Sequence, residues 1–142
     1  MSHFSSDAEI ERIGRGLIDR SLPKAEWTHA AHFAAAFWLL RRPDMNALRE
    51  MPAFIRAYNE ATGTPNTDTG GYHETITLAS LRAARAWLDA RPDVSLHVAL
   101  DELLISPFGR SDWLLSYWTR AVLFSFAARR NWIDPNLKPL PF

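Results

Sequence analysis

The chain has 142 residues, the length of one ordinary domain, so it can bury a hydrophobic core without stabilisation by disulfides. Its formal net charge is zero and 47% of its residues are hydrophobic, which argues against disorder and against non-specific binding of nucleic acid. Cysteine is absent, which excludes disulfides, thiolate nucleophiles and cysteine-ligated zinc or iron–sulfur sites. Any metal must therefore be held by histidine and carboxylate side chains.

The N-terminal segment, Met1 to Glu11, is polar and acidic and lacks the pattern of a secretory signal. The longest apolar run, Ala30 to Leu40, is too short to span a bilayer. We therefore expect a soluble, cytoplasmic protein that contacts neither membrane nor nucleic acid. No pattern in the sequence specifies an oligomeric state.

The first two predicted helices differ in how much of their surface is apolar. Ser6 to Glu9 has the form of a capping box and opens an amphipathic helix that we expect to end near Leu22 and Pro23. The segment from Trp27 to Arg42 is apolar nearly all round, with Thr28 as a good N-cap. This second helix is predicted to be the central, buried one.

Two further helices are predicted around a polar loop. Asp44 can cap a third helix that stops near Gly63 and contains Pro52, which predicts a kink or a restart. The stretch Thr64 to Gly71 is rich in turn-forming residues and leads directly into a fourth apolar helical pattern. We expect this loop to be structured and to form a wall of any site at the start of that helix.

The C-terminal third is predicted to consist of shorter helices. Ser95 can cap a fifth helix, a sixth is expected to begin near Ser111, and Thr119 and Ser125 can each cap a further short helix. The tail from residue 134 to residue 142 is spaced by prolines and should be extended over the core. No segment shows the period of two that is typical of strands. Residues 1 to 142 are therefore predicted to form a single-domain, all-α, irregular or orthogonal bundle of about six or more helices.

Three histidines at predicted helix starts are the main candidates for a functional site. His29 and His32 are spaced i, i+3 after Thr28, and His73 follows Gly70 and Gly71 at the start of another helix. The positive end of a helix dipole favours the neutral imidazole that metal binding requires. If the two helices pack with these ends together, three nitrogen ligands and one open position would form a catalytic type of site for a divalent metal such as zinc or iron.

Other polar side chains surround this candidate site. Glu74 or Tyr72 could act as the acid–base partner, although Glu74 points about 100° around the helix from His73. Thr77 and Ser80 continue the face of His73, and such a polar strip on an apolar helix predicts that it lines a pocket. We take Thr28, Thr77 and Asn66 as candidate ligand-binding residues. For the polar strip, the alternative is that its serine and threonine hydroxyls bond only to carbonyls of their own helix.

Several blocks of the sequence together resemble a known family. They are Trp27-Thr-His-Ala-Ala-His32, Tyr58-Asn-Glu60, Pro65-Asn-Thr67, Gly70-Gly-Tyr-His-Glu-Thr-Ile-Thr77 and the segment from Leu123 to Pro141. The chain is similar over nearly its whole length to a family of small, uncharacterised bacterial helical proteins. Phe126 and Ala127 depart from its pattern, in which Pro-Glu is expected after the serine. The resemblance implies no particular reaction.

Three hypotheses for the function follow from these residues. The first is a small-molecule site in which His29, His32 and His73 bind a divalent metal that activates water or a substrate. The second is a metal-free module that binds a small polar or anionic ligand between helices, with one of the arginines as an anion contact. The third is a structural or partner-binding helical protein, which predicts no pocket beside the histidines and a pronounced apolar surface patch elsewhere.

Overall fold

A computed structural model describes residues 4–142, and within this range the chain forms seven α-helices and no strand. The helices are α1 (Asp7–Asp19), α2 (His29–Arg41), α3 (Ala47–Ala61), α4 (Glu74–Asp89), α5 (Leu96–Ile105), α6 (Arg120–Leu123) and α7 (Phe126–Arg130). Single 3₁₀ turns occur at Lys24–Glu26, Pro107–Gly109 and Trp113–Ser116. The all-α prediction is confirmed.

Side-chain caps begin most of the helices, because each capping side chain accepts a hydrogen bond from an N–H group that has no partner inside the helix. The Ser6 and Thr28 hydroxyls accept from Glu9 N at 3.3 Å and Ala31 N at 3.2 Å. Thr119 and Ser125 cap the two short helices in the same way, at 3.3 and 3.1 Å. The N-cap predictions at these four residues are therefore confirmed, whereas Ser95 stands at the N-cap of α5 without a side-chain hydrogen bond to that helix.

The core is organised around α2, as its sequence predicts. Every residue from Ala30 to Leu39 is buried except His32, and α2 packs against α1, α3, α4 and α5. An apolar helix surrounded on all sides loses more water-exposed area than an amphipathic one, which makes α2 the largest single contributor to the core. Among the described residues, no helix has the length and apolar character needed to cross a bilayer.

Three predicted boundaries differ from the structure. Helix α1 ends at Asp19, where Arg20 adopts a left-handed conformation with φ of 66°, rather than near Leu22. Helix α3 is capped by Asn46 instead of Asp44 and runs as one helix through Pro52. A proline removes one intrahelical hydrogen bond, and burial of the surrounding face against the core offsets this loss.

The predicted sixth helix near Ser111 is only the 3₁₀ turn Trp113–Ser116, so this prediction was wrong in type. The buried indoles of Trp113 and Trp118 anchor the two ends of this segment, and Thr119 starts a new helix directly after it. The tail lies over this region, where Leu137 N donates to Tyr117 O at 2.9 Å. Its extended course was predicted.

Candidate functional site

A cavity of about 660 Å³ lies between α2, α3, α4 and the segment that contains the short helices α6 and α7. Its wall is mostly apolar, and the polar side chains enter it at a few points. The apolar part of the lining includes Trp27, Phe33, Ala36, Met51, Ile55, Ile76, Leu81, Leu114, Leu115, Leu123 and Phe124. The polar part comprises His29, His32, Asn59, Thr64, Tyr72, His73, Thr77, Ser80, Ser111, Asp112, Arg120 and Arg129.

The structure brings the three predicted histidines to this one cavity. Thr28 starts α2 and sets His29 and His32 in its first turn, while the loop before α4 sets His73 at the N-cap of that helix. Helices α2 and α4 pack directly against each other, and the N-terminal turns of both contribute to the lining of this cavity. The three rings nevertheless differ in which nitrogens they present.

His32 presents Nε2 as a hydrogen-bond acceptor. Its Nδ1 lies 2.7 Å from Thr28 O, and a carbonyl can only accept, so Nδ1 carries the hydrogen. Trp27 covers the ring with a centroid separation of 3.9 Å. Burial, together with the nearby His29 and Lys24, lowers the pKa of His32 to about 4. The ring is therefore neutral at pH 7.

His29 is held by a contact across the fold. Its Nε2 donates to Phe108 O at 3.0 Å, and its ring packs edge-on against Phe33 at a centroid distance of 5.3 Å. The other ring nitrogen, Nδ1, has no hydrogen-bond partner among residues 4–142. In the neutral ring this nitrogen is an acceptor. His29 and His32 thus each keep one acceptor nitrogen on residues that line the cavity.

His73 is different, because both of its nitrogens are already used. Nδ1 accepts from Ile76 N at 3.1 Å and caps α4, while Nε2 donates to Leu123 O at 2.7 Å. The ring is 6% exposed. Burial lowers its pKa, and repulsion from Arg129 acts in the same direction. His73 therefore faces the cavity as a neutral, fixed ring with no lone pair to offer.

This hydrogen bonding bears on the predicted metal site. Within residues 4–142, no three His, Asp or Glu side chains are grouped so that they could hold one metal ion. Ligation by His73 would require loss of either the cap of α4 or the bond to Leu123. A zinc or iron site on all three rings stays a prediction that needs a different arrangement of His73.

Tyr72 and Glu74 form a pair beside the cavity. The Tyr72 hydroxyl donates to Glu74 Oε1 at 2.5 Å, and burial with this bond raises the pKa of the phenol well above its usual range. Tyr72 lines the cavity, whereas Glu74 reaches it only through Tyr72. A buried phenol with a raised pKa holds its proton, and this proton is given to Glu74, so in this arrangement Tyr72 neither acts as a base nor donates to a ligand and can only accept a hydrogen bond from one.

The polar strip predicted on α4 lies on the cavity wall. His73, Thr77 and Ser80, at i, i+4 and i+7, all line it, so the strip does line a pocket. The two other candidate ligand-binding residues, Thr28 and Asn66, are outside the lining. The Thr28 hydroxyl is used as the cap of α2, because it is the nearest acceptor for Ala31 N.

The loop Thr64 to Gly71 forms part of the wall, as predicted, through its two ends. The Asn66 amide holds the loop in place: Oδ1 accepts from Asn59 and from Tyr72 N at 3.1 and 2.9 Å, and Nδ2 donates to Arg56 O at 3.0 Å. Asn66 is thus a loop anchor, and Asn59, which it positions, is the side chain that lines the cavity.

Several lining residues were not singled out from the sequence. Met51, Ile55 and Leu114 look like ordinary core residues, because an apolar side chain at a cavity and one in a packed core have the same helical spacing. Arg129 lies in the last turn of a short helix, where a basic side chain is common whether or not it lines a cavity. It reaches the cavity because α7 packs on α4, where its guanidinium donates to Gly71 O and Tyr72 O at 3.1 and 3.2 Å.

No family model, no curated protein and no solved structure matches this chain.

Proposed function

We propose that this protein binds a small organic molecule in the cavity, with its histidines as hydrogen-bonding groups rather than as metal ligands. The observation that carries the proposal is the pattern of ring nitrogens. Both nitrogens of His73 are bonded to backbone, whereas His29 Nδ1 and His32 Nε2 keep an acceptor lone pair on cavity-lining rings. Two acceptor nitrogens suit a hydroxyl or N–H group of a ligand.

The size and lining of the cavity support the same proposal. Small-molecule sites have volumes of roughly 300 to 1,000 Å³, mostly apolar walls and a few polar groups that orient the ligand. A volume of about 660 Å³, with a mostly apolar wall and the hydroxyls of Thr77 and Ser80 on one helix, has these properties. The purely structural hypothesis predicted no pocket beside the histidines, so it fits this geometry less well.

A divalent metal is a second candidate, favoured by one specific feature. His29 and His32 each donate their other ring N–H to a backbone carbonyl, which is how proteins commonly orient metal-bound imidazoles. In that case the two acceptor nitrogens would be the protein ligands, with water completing the coordination. Elemental analysis distinguishes the two candidate functions.

The proposal is tested by screening a library of small organic compounds for stabilisation against heat. Wild type is compared with Ser80→Trp, whose indole is designed to fill the cavity from α4, and with Ser5→Trp, an equal change at an exposed position. Compounds should raise the melting temperature of wild type and Ser5→Trp but not of Ser80→Trp.

The screen also specifies what would contradict the proposal. If Ser80→Trp folds and still responds to every compound that wild type binds, binding occurs elsewhere and the cavity is not the site. Elemental analysis of wild type, purified without a histidine tag, should find less than stoichiometric zinc and iron. A stoichiometric metal that is lost in His29→Ala would favour the second candidate.

A further inference from the structure

The cavity wall carries more positively charged side chains than negatively charged ones. Arg120, Arg129 and Asp112 line the cavity. Asp112 already pairs with Arg110, with 3.2 Å between Arg110 Nε and Asp112 Oδ1. Neither Arg120 nor Arg129 has a carboxylate within salt-bridge distance in residues 4–142. The wall thus has two unpaired guanidinium groups and no unpaired carboxylate.

Arg129 is held in a geometry that leaves part of its fork open. Nη1 donates to the carbonyls of Gly71 and Tyr72, and the guanidinium is partly buried by α7 and the loop before α4. Nε and Nη2 make no hydrogen bond within the part of the chain that the structure describes. These two N–H groups are the pair that binds the two oxygens of a carboxylate.

The positive charge is concentrated at one end of the cavity. Arg129 repels a proton from His73, which contributes to the lowered pKa of that ring, and Phe124 packs edge-on against His73 at a centroid distance of 6.4 Å. Arg120 lies over the same Phe124 ring at 5.6 Å. The His29 and His32 acceptors come from α2 and cannot bond a carboxylate, because an acceptor has no hydrogen to give.

We propose that the ligand is a small, mostly apolar carboxylic acid, bound as its carboxylate at Arg129 and Arg120, with its hydrocarbon body in the apolar part of the cavity and a hydroxyl or N–H group at the His29 and His32 acceptors. This inference rests on the proposed small-molecule function. The half-open fork of Arg129 presents two parallel N–H groups that match the two oxygens of a carboxylate, and the mostly apolar lining suits a ligand that is charged at one end only. Phe33, Ile55 and Leu114 on the facing walls supply the apolar surface.

The inference is tested with three probes that share one hydrocarbon chain and differ in charge: octanoate, octanol and octylammonium. Binding to the full chain is measured by calorimetry at pH 7 and low salt. Octanoate should bind about tenfold more tightly than octanol, because a charge-assisted hydrogen bond contributes more than a neutral one. Octylammonium should bind most weakly.

Substitutions of the two arginines test whether they cause the preference for octanoate over octanol. Arg129→Gln and Arg120→Gln should each reduce the preference for octanoate over octanol, while Arg85→Gln, an exposed arginine on α4 outside the cavity, should not. Arg129→Lys retains the charge without the fork and tests Arg129 where Arg129→Gln does not fold.

Each remaining result counts for or against the inference. Equal affinity for octanoate and octanol, tighter binding of octylammonium, no binding of any probe, or a preference that survives both glutamine variants would overturn the carboxylate assignment. Compounds that bind wild type but not Ser80→Trp in the library screen would still support the small-molecule site. The two proposals therefore fail separately.

Discussion

His73 shows how one side chain can serve both a fold and a site. The ring caps α4 through Nδ1 and ties it to the end of α6 through Leu123, so its plane on the cavity wall is fixed from two sides. A side chain whose rotamer is locked in this way positions its neighbours more accurately than a mobile one. His73 therefore acts mainly as a positioning residue in this arrangement.

Replacing His73 should measure these two bonds separately. His73→Ala loses both and should lower the free energy of unfolding by about 1 to 3 kcal/mol. His73→Asn can still cap the helix and should recover about 1 kcal/mol of that loss. Urea unfolding of the three proteins checks this order. Wild-type stability in His73→Ala would contradict a structural role.

The pH dependence of stability should report the burial of His32. Its pKa falls from 6.5 in the unfolded chain to about 4 in the folded one, so the unfolded state binds the extra proton first. The stability associated with the neutral ring is thus fully present above about pH 6.5 and is lost as the pH falls towards 4. The full effect is at most about 3 to 4 kcal/mol, at 1.36 kcal/mol per pKa unit.

Comparing wild type with His32→Gln separates this effect from the titration of carboxylates. The free energy of unfolding of the two proteins should run parallel above pH 7, and wild type should lose more stability between pH 6.5 and 4. The lowered pKa of His73 acts in the same direction in both proteins and cancels in the difference. Parallel curves throughout the acid range would show that His32 is not desolvated.

At the scale of elements, the loop before α4 determines where the site begins. Gly71 has φ of 78°, and a Cβ at this position would lie 2.5 Å from Pro65 O and 2.7 Å from Asn66 Oδ1. Only glycine fits both the backbone conformation and the space. The turn then directs Tyr72 and His73 into the wall.

Gly63 provides a matched control for the loop, since its φ is 85° but a Cβ there would meet nothing within 4 Å. Gly63→Ala should cost about 1 kcal/mol from backbone strain alone. Gly71→Ala should cost more and should also accelerate amide exchange across residues 64–71, because the clash displaces the Asn66 anchor. Equal effects of the two substitutions would mean that close packing at Gly71 contributes nothing.

The elements that the sequence predicted well are those defined by local chemistry. Thr28 and Ser125 predict helix starts because a capping hydroxyl and the N–H group that donates to it are three residues apart. The short turn at Trp113–Ser116 was not predictable, because its ends are anchored by contacts distant in sequence, such as that of Trp118 Nε1 with Ile133 O at 2.9 Å. The same holds for Pro52 inside α3, where tertiary packing outweighs the local preference.

At the scale of the whole molecule, the convergence of the three histidines could be anticipated, whereas the nitrogens they present could not. Equivalent positions at two helix starts indicate a common wall once the helices pack together. The partners Phe108 O and Leu123 O come from segments 79 and 50 residues away, and no spacing rule relates them to the rings. Whether an imidazole offers a lone pair is therefore a tertiary property.

The central claim is that the cavity presents imidazole acceptor nitrogens to an organic ligand. It is tested most directly by imidazole ¹⁵N spectra at pH 7, recorded for wild type alone, with chelator, and with the tightest compound from the library screen. We expect a neutral His32 with its hydrogen on Nδ1 and a neutral His73 with its hydrogen on Nε2, both unchanged by chelator. The compound should shift His29 Nδ1 or His32 Nε2. A change of all three rings on chelation, or a bound compound that moves neither acceptor nitrogen, would contradict the account.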